Sequence, residues 1–262
     1  MKRLFTLALL GTTALACASQ AVRADMLDDI TKAGKIRIAT DLAIPPSGMI
    51  DSAMKPTGSD VETAELLAKD WGLQLEFIQT TGATRIPNVQ TNKADIIIST
   101  LSVTPDRAKV IDFSKPYAAL QSVVGCLKSV EAKSWDDLKG KTIAVSRGTT
   151  QDTTLTNMKE RDLKLARYED DATMVTAAVS GQADCVATSA TIVSQIGVKA
   201  PSRPFEPKVT ITNFDLAIGV KKGEPKLLEK LNAWVEQNLK NGKLNAIYKK
   251  FHGTELPAEM RG

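Results

Sequence analysis

Asp95-Ile96-Ile97-Ile98-Ser99-Thr100-Leu101-Ser102-Val103-Thr104-Pro105-Asp106-Arg107 reads as a buried strand that opens into a hydroxyl-rich turn and then a helix. The isoleucine run lacks polar alternation, the pattern of a parallel strand covered on both faces. Thr104 stands at an N-cap and Pro105 at the first helical position, where a fixed φ fits and the missing N–H costs nothing. Arg107 falls in the first turn, where a cation opposes the helix dipole. Two readings follow. An anion between the helix start and the guanidinium would bring backbone donors, hydroxyls and a planar cation onto one carboxylate. Otherwise Arg107 is a surface ion-pair residue after an ordinary strand-to-helix turn.

Outward from this stretch the chain alternates short apolar runs with amphipathic ones. Residues 35–39 form a strand, and 61–71 a helix with Leu66, Leu67 and Trp71 on one face and Gly72 as its stop. Residues 73–78 are a strand, 86–92 a short helix and 95–99 the strand quoted above. This βαβαβ order implies a parallel sheet with helices on both faces. Residues 113–117 interrupt it, and 122–127 start a new strand. The pattern then restarts: a helical turn at 135–140, strands at 142–145, 165–168 and 184–187, and helices at 152–158 and 172–180, the latter stopped by Gly181. After a proline-rich stretch at 201–207 come a strand at 214–220 and amphipathic helices at 224–241 and 243–251. Two similar α/β halves predict two lobes with a cleft between them, at the carboxyl ends of the strands.

Lys2 and Arg3, an apolar segment over 4–18 and small residues up to Val22-Arg23-Ala24 make a secretory signal peptide cleaved before Asp25. Leu15-Ala16-Cys17 offers a second reading, lipid anchoring at Cys17, although the hydrophobic residue sits one place closer to the cysteine than in the usual lipobox. No later segment is apolar enough to cross a membrane. Removing residues 1–24 from 262 leaves 238 and takes away Lys2, Arg3 and Arg23, so the formal charge falls from +4 to +1. A near-neutral chain gives no support for nucleic-acid binding. Cys126 and Cys185 survive cleavage; an exported chain can pair them, and their strand-like apolar context suits two buried thiols as well.

Catalysis has little support. The one histidine, His252, sits in the C-terminal tail and reads as a surface or packing residue. There is no Ser/His/Asp set, no Cys/His metal spacing and no phosphate-cradling glycine loop, so neither metal nor cofactor is expected. Asp136-Asp137 and Asp170-Asp171 read as caps and solvated charges. Binding has more. Ser146-Arg147-Gly148-Thr149-Thr150-Gln151 repeats the strand-end, hydroxyl-rich helix start of Ser99 to Arg107. Facing each other across a cleft, the two would offer N–H groups and hydroxyls to one small anion. Three or four charge-assisted hydrogen bonds at about 1.5–3 kcal/mol each, offset by immobilisation, reach micromolar binding or tighter.

An ordered set of short pieces carries a resemblance: Thr40-Asp41 with Pro45-Pro46, Gly58-Ser59-Asp60-Val61, Ala94-Asp95 through Arg107-Ala108-Lys109, Asp112-Phe113-Ser114-Lys115-Pro116-Tyr117, Leu138-Lys139-Gly140-Lys141, Gly148-Thr149-Thr150-Gln151 and Ser180-Gly181-Gln182-Ala183-Asp184. The chain, over essentially all of its mature length, resembles the polar amino-acid family of periplasmic solute-binding proteins of ABC transporters. The resemblance implies the type II two-lobed α/β fold, with two crossover strands as hinge. Lobe 1 would be 25–117 plus 214–262, and lobe 2 118–213. It implies a periplasmic monomer that closes on a carboxylate-bearing small molecule, an amino acid or derivative, and delivers it to a membrane permease. By the same resemblance Arg107 grips the α-carboxylate, Ser102 supplies an N–H and a hydroxyl, Thr100 a main-chain acceptor, and Thr150 an N–H from the second lobe; Asp41 meets the ligand's distal end. Leu101 and Thr149 complete these two segments of the ligand set.

Three departures bear on selectivity. The acid that pairs the α-ammonium in the family is here Ser189. The aromatic after the Pro-Pro motif is Ser47, and the two that sandwich the ligand correspond to Ile44 and Gly82. Arg85, in Thr84-Arg85-Ile86-Pro87, is an added basic residue near the cleft; it either favours a second acidic or polar group on the ligand or pairs with an acid at its helix start. Asp41, Arg85 and Ser189 are therefore the selectivity residues. Either another acid, with Asp41 the candidate, takes over the ammonium, or the ligand's amine is substituted, repositioned or absent. Two rival functions share the fold: a dehydratase of the cyclohexadienyl or arogenate type, which needs a general acid with no obvious candidate here, and a ligand-sensing partner of a membrane receptor.

Overall fold

The computed structural model describes residues 25–261. The signal peptide and Cys17 lie outside them. Elements follow in chain order as α1 (Met26–Ala33), β1 (Lys35–Thr40), β2 (Met49–Ile50), β3 (Pro56–Thr57), α2 (Ser59–Trp71), β4 (Gln74–Gln79), α3 (Arg85–Gln90), β5 (Ile96–Ile97), α4 (Pro105–Ala108) and β6 (Ile111–Leu127). The second half carries β7 (Thr142–Ser146), α5 (Thr150–Asn157), β8 (Lys164–Tyr168), α6 (Asp171–Val179), β9 (Cys185–Ser189), α7 (Ala190–Lys199), β10 (Phe205–Lys221), α8 (Pro225–Lys240) and α9 (Lys243–His252). Among the described residues no helix is long and apolar enough to cross a membrane.

Eight strands join in the order β4-β1-β5-β10-β6-β9-β7-β8. The flanks are parallel, β1 with β4 and β5, and β7 with β8 and β9. The centre is antiparallel: β10 pairs with β5 and β6, and β6 with β9. Each parallel flank is covered by its own helices, so the apolar residues separate into distinct cores. Ile36, Ile38, Leu67, Ile96, Ile98, Leu227 and Leu231 pack in one cluster, with Ile97, Leu101 and Ile111 in a smaller one beside it. Val123, Met174, Val186, Val193 and Ile196 form another, and Val124, Leu138, Ile143, Val145 and Cys185 the last. The first cluster draws on both ends of the described chain. Asp25 makes that return specific: its side chain accepts from Leu27 N–H at 3.0 Å and from Lys226 N–H at 2.9 Å, capping α1 and α8 together.

The local stops and starts follow from residue chemistry. Gly72 ends α2 with φ +67°, and the Thr104 hydroxyl accepts from Arg107 N–H at 3.3 Å with Pro105 at the first helical position. Two predicted boundaries differ. Residues 113–117 continue β6 rather than breaking it, because β10 pairs along the whole length and absorbs Pro116 at a register irregularity near Ala217. The Ser114 hydroxyl accepts from Ile218 N–H at 3.0 Å and fills the gap in the ladder. Likewise β10 begins at Phe205, inside the proline-rich stretch. Helices α1 and α7 were not expected from the sequence pattern. Cys126 and Cys185 stand opposite each other in the β6–β9 pair and form a disulfide, deciding between the two readings.

Candidate functional site

A cleft open to solvent lies where the carboxyl ends of β1, β4, β5, β7, β8 and β9 converge. Its first side is Asp41, the Ile44-Pro45-Pro46-Ser47 turn, Gly82, Arg85, Thr100 and Ser102; its second is Thr149, Thr150, Gln151, Asp171, Thr188, Ser189, Thr191 and Ile192. Leu120 of β6 and His252 of α9 close the end.

The turn after β1 is folded tightly. Asp41 N–H donates to the Ser99 hydroxyl at 3.0 Å, and the Asp41 carboxylate accepts from Ala43 N–H at 2.9 Å. Gly48 is required here, since a Cβ would collide with the Asp41 carbonyl oxygen. Thr100 holds a left-handed φ of +42°, an uncommon state for a β-branched residue. Asp60 at the start of α2 keeps it there: its carboxylate accepts from Thr100 N–H at 2.7 Å and from the Tyr117 hydroxyl at 2.8 Å.

The charged residues that line the cleft are themselves buried. Asp41 and Arg85 are 3% and 5% exposed. Burial pushes the Asp41 carboxyl up to about 6, the Ala43 N–H and Arg85 opposing, and Asp60 up to about 7 against its two hydrogen bonds. Burial lowers the Arg85 guanidinium, with the Asp41, Asp171 and Asp60 carboxylates opposing it. Arg85 Nη1 donates to the Ser99 carbonyl at 2.6 Å, while Nε has no hydrogen-bond partner among the described residues.

Of the predicted ligand residues, Asp41, Arg85, Thr100, Ser102, Thr149, Thr150 and Ser189 line the cleft. Leu101 does not. Its side chain is fully buried in the core, where a Cβ on Gly219 would lie 2.6 Å from it. Arg107 is not on the cleft wall either. Its Nη1 donates to the Ser102 carbonyl at 2.9 Å and its Nη2 crosses to the Gly148 carbonyl at 3.2 Å. Arg107 makes no ion pair among the described residues: its guanidinium turns from the helix start onto two carbonyls, one on each side of the cleft. Burial, helped by the charge of Arg85, lowers it to about 9, so it stays a cation at neutral pH. Arg85 pairs with no acid in a direct ion pair among the described residues; it is a buried cleft residue instead.

Two hydroxyls of the second side are already committed to helix starts. Thr149 caps α5 by accepting from Asp152 N–H, and Ser189 caps α7 by accepting from Ile192 N–H at 3.1 Å. Beside them the two sides touch. A Cβ on Gly82 would lie 2.8 Å from the Arg147 carbonyl oxygen, and one on Gly148 2.7 Å from Ala83 Cα. The glycine at 82 therefore leaves room for the second side's loop.

Asp171 and His252 line the cleft as well, a place the sequence pattern does not assign to either. Asp171 reads from the sequence as a cap or solvated charge, yet it is 8% exposed and lies on the cleft wall; only its neighbour Asp170 has the capping role. The clue lay in the pair itself, since one helix start needs one N-cap. His252 does pack, stacking on Tyr248 at 4.3 Å and hydrogen-bonding the Ser59 hydroxyl at 3.0 Å, but its ring also reaches the cleft. Burial lowers it to about 4, so it is neutral at physiological pH.

This arrangement of fold and cleft matches a known class. The bacterial extracellular solute-binding proteins, family 3, match over residues 36–254, and the chain belongs to that family. It is 30% identical to the glutamine-binding protein of an ABC transporter from Bacillus subtilis, over 99% of this chain and all of that one. Among solved structures, an L-cysteine solute receptor of Neisseria gonorrhoeae superposes with a TM-score of 0.81 at 30% identity, covering 87% of this chain and 93% of that one. An ancestral amino-acid-binding protein, described as a precursor of cyclohexadienyl dehydratase, superposes with a TM-score of 0.77 at 33% identity, covering 86% and 99%. The fold is the two-lobed type II binding-protein fold, with β6 and β10 running through both lobes.

Proposed function

We propose that the protein captures a polar α-amino acid, or a close derivative, between its lobes in the periplasm and delivers it to an ABC importer. The observation that carries this reading is one cleft lined by a buried arginine and by buried carboxylates from both sides. Such a set suits a zwitterion: neither a neutral solute nor a simple anion would satisfy both signs of charge. Lobe 1, residues 25–117 with 214–262, and lobe 2, residues 118–213, would move as bodies on the two long strands. In this reading Ser102 and the first N–H groups of α5 at Thr150 hold the carboxylate, supported by the charge of Arg85. Arg107 ties the closed lobes together through Gly148 while adding positive potential at the rim. Titration calorimetry of residues 25–262 against the L-amino acids and a panel of small carboxylates tests the proposal. Micromolar or tighter binding of an amino acid supports it; binding only of non-amino carboxylates, or of none of the panel, refutes it.

One observation favours a second reading. Asp41 and Asp171, both raised to about 6, are the protonatable groups a dehydratase would need as general acid. Turnover of prephenate or arogenate would establish it, and its absence alongside amino-acid binding leaves the receptor reading standing.

A further inference from the structure

Three buried carboxylates surround the cleft, and they differ in how fully the protein satisfies them. Asp60 spends both oxygens, one on Tyr117 and one on Thr100 N–H. Asp41 closes its own turn through Ala43 N–H. Asp171 accepts from side-chain hydroxyls alone, those of Thr188 and Ser146. Its position at the start of α6 needs no cap, because Asp170 already accepts from Thr173 N–H at 2.8 Å and completes a capping box. The hydrogen bond drawn to it by Thr188 is long, 3.5 Å, and it makes no ion pair among the described residues. A carboxylate 92% removed from solvent normally finds a cation or several donors. The same cleft holds Arg85, itself buried, with its Nε unpartnered, so a carboxylate served by hydroxyls on the second side shares the cleft with a cation that has an unused N–H on the first. Ser189, beside Thr188, offers only a neutral hydroxyl whose oxygen is engaged by Ile192 N–H.

Resting on the reading above, we infer that Asp171 is the acceptor for the ligand's ammonium group, and hence the residue that selects ligands with a free, protonated amine. Burial and the nearby Asp41 carboxylate push Asp171 up to about 6, against a Ser146 hydrogen bond and the attraction of Arg85. An incoming ammonium relieves both effects at once. Asp41 is left to meet the other end of the ligand from lobe 1.

The test compares L-glutamine with 4-carbamoylbutanoate, and L-histidine with 3-(imidazol-4-yl)propanoate, pairs that differ only by the amine. Calorimetry on wild type, Asp171→Asn and Asp41→Asn reads the affinity ratio within each pair. Wild type is expected to favour the bound amino acid, and Asp171→Asn to weaken it by ~10–100-fold while leaving the desamino acid nearly unaffected, the range given by one charge-assisted hydrogen bond. A merely structural role would weaken both members alike. Unchanged discrimination in Asp171→Asn, or its loss in Asp41→Asn alone, overturns the assignment while the receptor reading survives. If no α-amino acid binds wild type, both fall together. Should Asp171→Asn fail to fold, a crystal structure of wild type with L-glutamine decides: an ammonium nitrogen contacting Asp171 supports the inference, and one contacting a different acid refutes it.

Discussion

Arg107 bridges backbone from the two sides of the cleft. Its guanidinium sits between carbonyls of Ser102 and Gly148, so its removal breaks a bond across the cleft. Arg107→Ala is expected to lower affinity by roughly tenfold for every ligand, through loss of the closed form and of rim charge. Equal affinity in the variant, by calorimetry, would remove Arg107 from both closure and binding. Gly82 gives a complementary case. A Cβ there meets the Arg147 carbonyl oxygen at 2.8 Å, backbone that has no rotamer to move aside. Gly82→Val should therefore hold the lobes apart, giving a larger radius of gyration in solution scattering with saturating ligand and at least ~10-fold weaker binding. An unchanged scattering profile would mean that the loop yields.

At the level of elements, β6 and β9 are held by more than their ladder. Cys126 and Cys185 close a loop with a sequence separation of 59. Loop-closure entropy puts such a cross-link at ~4 kcal/mol of stabilisation, with observed values of about 2–5. Replacing both cysteines with serine should lower unfolding free energy within that range, measured by denaturant titration, and leave ligand affinity little changed because the bond lies away from the cleft wall. A loss below ~1 kcal/mol would mean the reduced chain was already constrained. Most elements were legible: β1, β4, β7, β8, α2, α6, α8 and α9 fall within a few residues of their apolar runs and glycine stops. Besides helices α1 and α7, the exceptions are strand segments whose pairing, not pattern, makes them strands. Ser114-Lys115-Pro116 lies in β6 only because β10 runs antiparallel along its full length, with bulges that accept the proline.

Across the whole molecule, the buried charges set the pH dependence. Asp41, Asp60 and Asp171 rise from 3.8 to about 6, 7 and 6. The folded protein therefore holds these protons where the unfolded chain has released them. Their contribution to stability is full below about pH 3.8 and is lost as the pH rises through 6 and 7. His252, lowered from 6.5 to about 4, acts in the opposite sense: its contribution is present above pH 6.5 and is lost as the pH falls toward 4. Three carboxyls outweigh one imidazole, so thermal scans should give a higher melting temperature at pH 5 than at pH 7.5. Asp60→Asn should flatten the upper part of the slope. A melting temperature that climbs between pH 5 and 7.5 would contradict the buried-carboxyl assignment.

The alternation of strands and amphipathic helices, the repeated hydroxyl-rich strand ends and the order of short motifs together specified two α/β lobes and a cleft, because hydrophobic period and turn chemistry are local and survive without knowledge of partners. That Asp41, Arg85, Thr100, Ser102, Thr149, Thr150 and Ser189 line one cleft was legible for the same reason: each lies at or beyond a strand end, and strand ends in such sheets converge. What only the tertiary structure decided is which groups are already satisfied. Ser189 and Thr149 spend their hydroxyls on helix caps, Arg107 its guanidinium on carbonyls, and Leu101 its side chain on the core, while Asp171 is buried with few donors. Burial and hydrogen-bond partners depend on residues distant in the chain, so the cleft's unspent charges, and with them its selectivity, emerge only once the sheet is assembled.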